Sequence, residues 1–148
     1  MASDSTTDRP AALRRFRDDV AELADLAEGW AAADGWATKR YPKRMQPAGG
    51  ELFEVDTVMM QRGPAKILLD PVGLDAAGRD AVVDLYLMPD YDDLASLYRD
   101  GGGWRLYRGD FDGEDGFVSP KDRPSRPLDQ DAFCRTIEEI GARQLSPV

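Results

Sequence analysis

Residues 81–108 read AVVDLYLMPDYDDLASLYRDGGGWRLYR, and the way this stretch alternates decides the fold. In 81–88, Val83, Leu85 and Leu87 fall on one face of an extended chain, while Val82, Tyr86 and Met88 accompany Asp84 on the other. A strand with apolar residues on both faces is expected to be covered on both sides, so this segment is assigned to the sheet centre. Pro89 closes it. Segments 94–98 and 104–108 then flank Asp100-Gly101-Gly102-Gly103, the signature of a β-hairpin.

Working towards the N-terminus, 51–60 places Phe53, Val55, Thr57 and Met59 on one face and Glu54 and Asp56 on the other. Gln61-Arg62-Gly63-Pro64 reverses the chain and 65–69 returns, giving a first hairpin. Its loop is expected to be irregular because of Pro64. The composition of 70–80 predicts a loop with one helical turn. Segment 36–41 is a further strand, kept at a sheet edge by Pro42. On the C-terminal side, 109–127 is rich in Asp, Gly, Ser and Pro and reads as a surface connection.

Helices bracket this region. Asp8 is a candidate N-cap with Pro10 in the first turn. Leu13, Phe16, Val20, Leu23, Ala27 and Trp30 follow at alternating spacings of three and four, one apolar stripe facing the sheet. The stripe is too short for a coiled coil, and 29–35 is expected to end the helix. Near the C-terminus Asp129 is an N-cap, Leu128 and Phe133 form a hydrophobic staple, and Phe133, Ile137 and Ile140 share a face beside Cys134. Gly141 reads as the stop. The expectation is an α+β single domain over 9–144. Its antiparallel sheet has five to six strands in a meander of hairpins, packed by an N-terminal and a C-terminal amphipathic helix. Residues 1–8 are expected to be a flexible N-terminus and 145–148 a short tail.

The chain has 148 residues, a formal net charge of −9, one cysteine and no histidine. Without imidazole there is no Ser/His or Cys/His nucleophile pair and no His-containing zinc site, leaving carboxylates, Tyr, Lys or Arg for any chemistry. Cys134 cannot form an internal disulfide, reads as a buried structural thiol and agrees with a reducing compartment. No apolar run approaches the roughly 20 residues that span a bilayer, and 1–5 lacks the features of a secretory signal. A cytoplasmic protein without membrane association is expected.

Charge is unevenly spread. Residues 1–66 hold 10 basic and 11 acidic side chains and the remainder 9 and 17. The carboxylates of Asp90, Asp92, Asp93, Asp100, Asp110, Asp112, Glu114 and Asp115 are therefore the candidate partner-binding residues. Asp84, a carboxylate within the strongest strand, must be paired, hydrogen-bonded or shifted in pKa, and is the candidate acid or base if the protein is an enzyme. Trp36, Lys39, Arg40, Tyr41, Lys43 and Arg44 form a basic and aromatic cluster that suits phosphate and base contacts, or else blunts an edge strand. No metal or cofactor is expected: counted from Asp110, the EF-hand positions for Gly and bidentate Glu hold Asp115 and Lys121. Asp84 with Asp90, Asp92 and Asp93 has no spacing that demands magnesium. The glycines at 101–103 precede a strand, which excludes a phosphate-binding loop at a helix start. Tyr86, Tyr91, Tyr98 and Tyr107 suit a half-exposed sheet.

Three classes follow. The first is a non-catalytic acidic interaction protein (an adaptor, inhibitor, immunity-type partner or small chaperone) that engages a basic protein partner, with homodimerisation through a sheet edge also open to it. The second is a small-ligand pocket protein or enzyme using Asp84. The third is a nucleic-acid binder or nucleic-acid mimic. A concave sheet face open and lined by polar groups favours the second; one filled by the helices favours the first.

Overall fold

The computed structural model describes residues 3–46, 52–74, 81–100, 103–108 and 125–145. Helix α1 (Ser3–Ala33) leads into β1 (Ala37–Met45), β2 (Phe53–Arg62), β3 (Ala65–Leu74), β4 (Ala81–Leu87), β5 (Asp92–Asp100), β6 (Gly103–Arg108) and β7 (Ser125–Pro127), and α2 (Gln130–Leu145) closes the chain. The strands form one antiparallel sheet in sequence order, β1 to β7. The α+β class, the antiparallel sheet and the two terminal helices are as the sequence predicts, with β4 at the centre. The sheet has seven strands, not five to six. The additional strand, β7, lies where a surface connection was expected and pairs Ser125 with Tyr107.

One side of the sheet is buried. Ile67 and Leu69, Val83 and Leu85, Leu97 and Leu106 all point into a core closed by Phe16, Val20, Leu23 and Ala27 of α1 and by Phe133, Ile137 and Ile140 of α2. Along β4 buried and half-buried residues alternate through all seven positions. The strand is thus covered on one side by the helices, and no described element covers the other, which corrects the expectation of double coverage. Val82 and Tyr86 are half-buried on that side, with no second layer over them among the described residues.

Local chemistry explains the other departures. Helix α1 starts upstream of Asp8 and ends at Ala33, within the expected 29–35. The stop is a Schellman turn: Trp36 N donates to Ala31 O at 2.9 Å and Gly35 N to Ala32 O at 3.1 Å. Gly35 carries φ 88°, the left-handed position that glycine accepts without strain. Pro64 does fit a two-residue turn, because Arg62 faces Ala65 and Gly63 takes φ 59°. A glycine first and a proline second match the type II′ hairpin turn. Strand β3 continues through Asp70 to Leu74 with a register shift between Pro71 and Gly73, where a loop was expected; 75–80 lie outside the described residues.

In α2, Asp129 is the N-cap, its Oδ1 accepting from Ala132 N at 2.7 Å. Leu128 packs on the core that holds Phe133, as a staple requires. Gly141 is not a stop, since the helix runs on to Leu145. A methyl group there would lie 3.0 Å from the Trp36 ring and 3.3 Å from Ala65 Cβ, so the glycine serves close packing of α2 on the first strands. Cys134 is half-buried, with its thiol 3.5 Å from Trp30 O and its pKa raised by burial.

The two helical glycines should therefore respond oppositely to alanine. Gly29 is exposed with nothing near its missing side chain, and Gly29→Ala is expected to stabilise by up to about 1 kcal/mol. Gly141→Ala crowds a buried ring and is expected to destabilise by about 1 kcal/mol. Denaturant midpoints of the two variants check this; a rise for both would remove the close-packing role of Gly141.

Candidate functional site

The uncovered face of the sheet is built by β-register. Asp70 faces Asp84, Asp84 faces Ser96, Ser96 faces Tyr107 and Tyr107 faces Ser125, one polar row across five strands. Asp84 lies at its middle, half-buried. Ser96 Oγ donates to Asp84 Oδ1 at 2.7 Å and Tyr86 Oη donates to Oδ2 at 3.0 Å. Asp70 is relieved differently: Lys43 Nζ reaches it at 2.9 Å and also donates to Pro71 O at 2.7 Å. Among the described residues no Lys or Arg forms an ion pair with Asp84.

Two tyrosine pairs flank this carboxylate. Tyr86 and Tyr91 meet edge to face with ring centroids 5.8 Å apart, and Tyr98 and Tyr107 at 4.9 Å. Tyr91 belongs to the corner between β4 and β5, which holds a cis peptide bond between Met88 and Pro89. At φ 55° it adopts a left-handed conformation uncommon for a non-glycine residue, and it is 60% exposed. Asp90, Asp92 and Asp93 are exposed around it, and Asp93 faces Tyr86 across a register shift. The corner and Asp84 are thus joined through Tyr86.

The candidate residues are only partly assembled. Asp84, Asp90, Asp92 and Asp93 lie in one region. The backbone of Asp100 is at the opposite end of β5, and Asp110, Asp112, Glu114 and Asp115 lie outside the described residues. Asp70, Ser96 and the tyrosine pairs were missed as site residues, because their meeting depends on register between strands that single-strand alternation does not specify.

The basic cluster is dispersed. Trp36 is buried, with the Arg62 guanidinium 4.6 Å from its ring centroid. Arg40 turns to α1, pairing with Asp25, with Glu28 at 2.5 Å and with Asp56 at 3.1 Å. Burial opposes its charge, but the hydrogen bonds of Asp25 and Glu28 prevail and raise its pKa above the ordinary value. Lys43 is engaged by Asp70, Arg44 lies 4.0 Å from Glu54, and Lys39 stands over the Tyr41 ring at 5.3 Å. Four cations thus divide among separate partners.

The helix-covered side is filled by core side chains. A groove of about 320 Å³ lies between α1 and β2, lined by Arg14, Arg17, Asp18, Glu54, Val55 and Asp56, charges of both signs that select no ligand charge. Among the described residues no three His, Cys, Asp or Glu side chains meet as a metal-binding group, and no helix is long and apolar enough to cross a membrane. No protein-family model, curated protein or solved structure matches the chain.

Tyr86 is the titrating group most altered by this arrangement. Burial raises its pKa, followed by the charge and hydrogen bond of Asp84 and the charges of Asp70 and Asp93. An unfolded tyrosine ionises near pH ~10. The folded state holds the proton more tightly, so this contribution to stability is intact below the unfolded pKa and is lost as pH rises from there through the folded value. Alkaline titration by phenolate absorbance should show one tyrosine ionising after the others, with the late step absent in Tyr86→Phe and earlier in Asp84→Asn. Simultaneous ionisation of all five tyrosines would contradict the arrangement.

Proposed function

We propose that this chain is a non-catalytic interaction protein that engages a protein partner through the uncovered face of its sheet. The observation that carries the reading is the contiguous patch of Asp84, Tyr86, Tyr91 and the Asp90, Asp92 and Asp93 carboxylates on a face that no described element covers. Tyrosines offer large contact area with few rotatable bonds, and carboxylates at the rim steer a partner of opposite charge. The filled core between helices and sheet favours this reading over a ligand chamber. Acid–base chemistry at Asp84 has less support, because each of its oxygens already accepts from a hydroxyl and no described element encloses the face. Phosphate binding at 36–44 has less support too, since Arg40 and Lys43 are engaged by carboxylates of the same chain.

Affinity capture at low salt tests the proposal. The wild-type chain is expected to retain a partner that is lost when Tyr91→Ala and Asp92→Asn are combined, with near-ultraviolet circular dichroism unchanged. Added salt should weaken retention, because exposed charges more than about 10 Å apart are screened at 0.1 M. Undiminished capture by a folded double variant would move the interaction to another surface.

A further inference from the structure

We infer that the partner group received at the centre of the open face is an arginine side chain, its guanidinium forked onto Asp84 between the two tyrosine pairs. The inference rests on the proposed interaction surface and specifies what it takes. Asp70 and Asp84 oppose one another on neighbouring strands, and like charges in that position repel. Lys43 compensates one of them; two neutral hydroxyls hold the other. Arg105, the nearest described guanidinium on this face, turns to Ser125 Oγ at 2.8 Å, so among the described residues Asp84 has no ion-pair partner. Lys43 on Asp70 shows the chemistry that would supply one.

The hydrogen-bond geometry selects the cation. An ionised carboxylate has about four acceptor sites, two on each oxygen. Ser96 occupies one site on Oδ1 and Tyr86 one on Oδ2, so one remains on each oxygen. Parallel donation to both oxygens is the bidentate geometry of a guanidinium, which an ammonium cannot reproduce. The flanking rings suit the same group, because guanidinium planes stack on aromatic faces. A second copy of the chain fits poorly. Face-to-face packing about a two-fold axis near Asp84 would bring the carboxylate pairs of two chains together, each of net charge −9. The same carboxylates repel a nucleic-acid backbone.

The test titrates the full ¹⁵N-labelled chain with a short synthetic peptide bearing one central arginine, the same peptide with lysine, the same with neutral citrulline, and free arginine. The arginine peptide is expected to shift the amides of Asp84, Tyr86, Ser96 and Tyr107 saturably, with affinity at least about tenfold above the citrulline peptide. The lysine peptide should fall between them, and free arginine should shift the same amides more weakly than the peptide. Asp84→Asn should lower affinity for the arginine peptide by a similar factor. The citrulline comparison uses the wild-type chain, so it holds even if that variant folds poorly. Equal binding of arginine and citrulline peptides, absence of a saturable shift at Asp84, or concentration-dependent dimerisation broadening these amides without peptide would each overturn the inference. If the arginine peptide fails while capture still depends on Tyr91 and Asp92, the interaction surface stands and only its arginine guest is rejected.

Discussion

Burial of the helix-covered side of the sheet governs this molecule. With a side-chain period of two, β3 and β4 give alternate residues to the core, β4 along its whole length. A slip of one residue would carry Val83 and Leu85 out to water and Asp84 into the core, so packing under α1 and α2 fixes register throughout the sheet. The same constraint creates the site. Asp70, Asp84, Ser96 and Tyr107 are in line because the core rows on either side of them are in line beneath, Leu69, Leu85 and Ala95 in one and Pro71, Val83, Leu97 and Leu106 in the other.

Arginines fasten the layers together. Arg40 of β1 reaches Asp25 and Glu28 on α1, and Arg99 of β5 lies against Asp19 and Glu22 of the same helix. Arg62 of β2 donates to Asp34 O at 3.1 Å and to Glu138 of α2 at 3.2 Å while covering Trp36. Individually such partly exposed pairs contribute little, on the order of 1 kcal/mol or less. Their placement matters more than their strength, because these three guanidinium groups are drawn to the helix side. On the open face Asp84 is left without an ion-pair partner among the described residues, which a count of charges along the chain does not locate.

What was legible in the sequence follows the range of the forces involved. The stripe from Phe16 to Ala27, the central strand, the hairpin around 100–103 and the Asp129 cap are written in short-range patterns, and each is present. Where two chain segments had to meet, local signals misled. Gly141 read as a helix end, but it lies inside α2 and admits the Trp36 ring. Asp70 looked like a loop residue because strand β3 carries a proline and a glycine at its irregularity. The three residues of β7 hold no pattern of their own and are a strand only because β6 offers a partner. Asp84 stood out as an aspartate within an apolar strand with Tyr86 on the same face, but its other donor, Ser96, comes from a strand that only folding brings within reach.

The aromatic residues are sorted by side. Trp36 and Trp104 are buried, and Trp30 rests against Phe133 between the helices, whereas Tyr86, Tyr91, Tyr98 and Tyr107 lie on the open face or at its rim. The two chromophores consequently observe different events. Tryptophan emission reports whether the helices are seated on the sheet. Tyrosine absorbance reports what touches the other side, so assembly of the fold and occupancy of its open face can be followed in one sample without an added label.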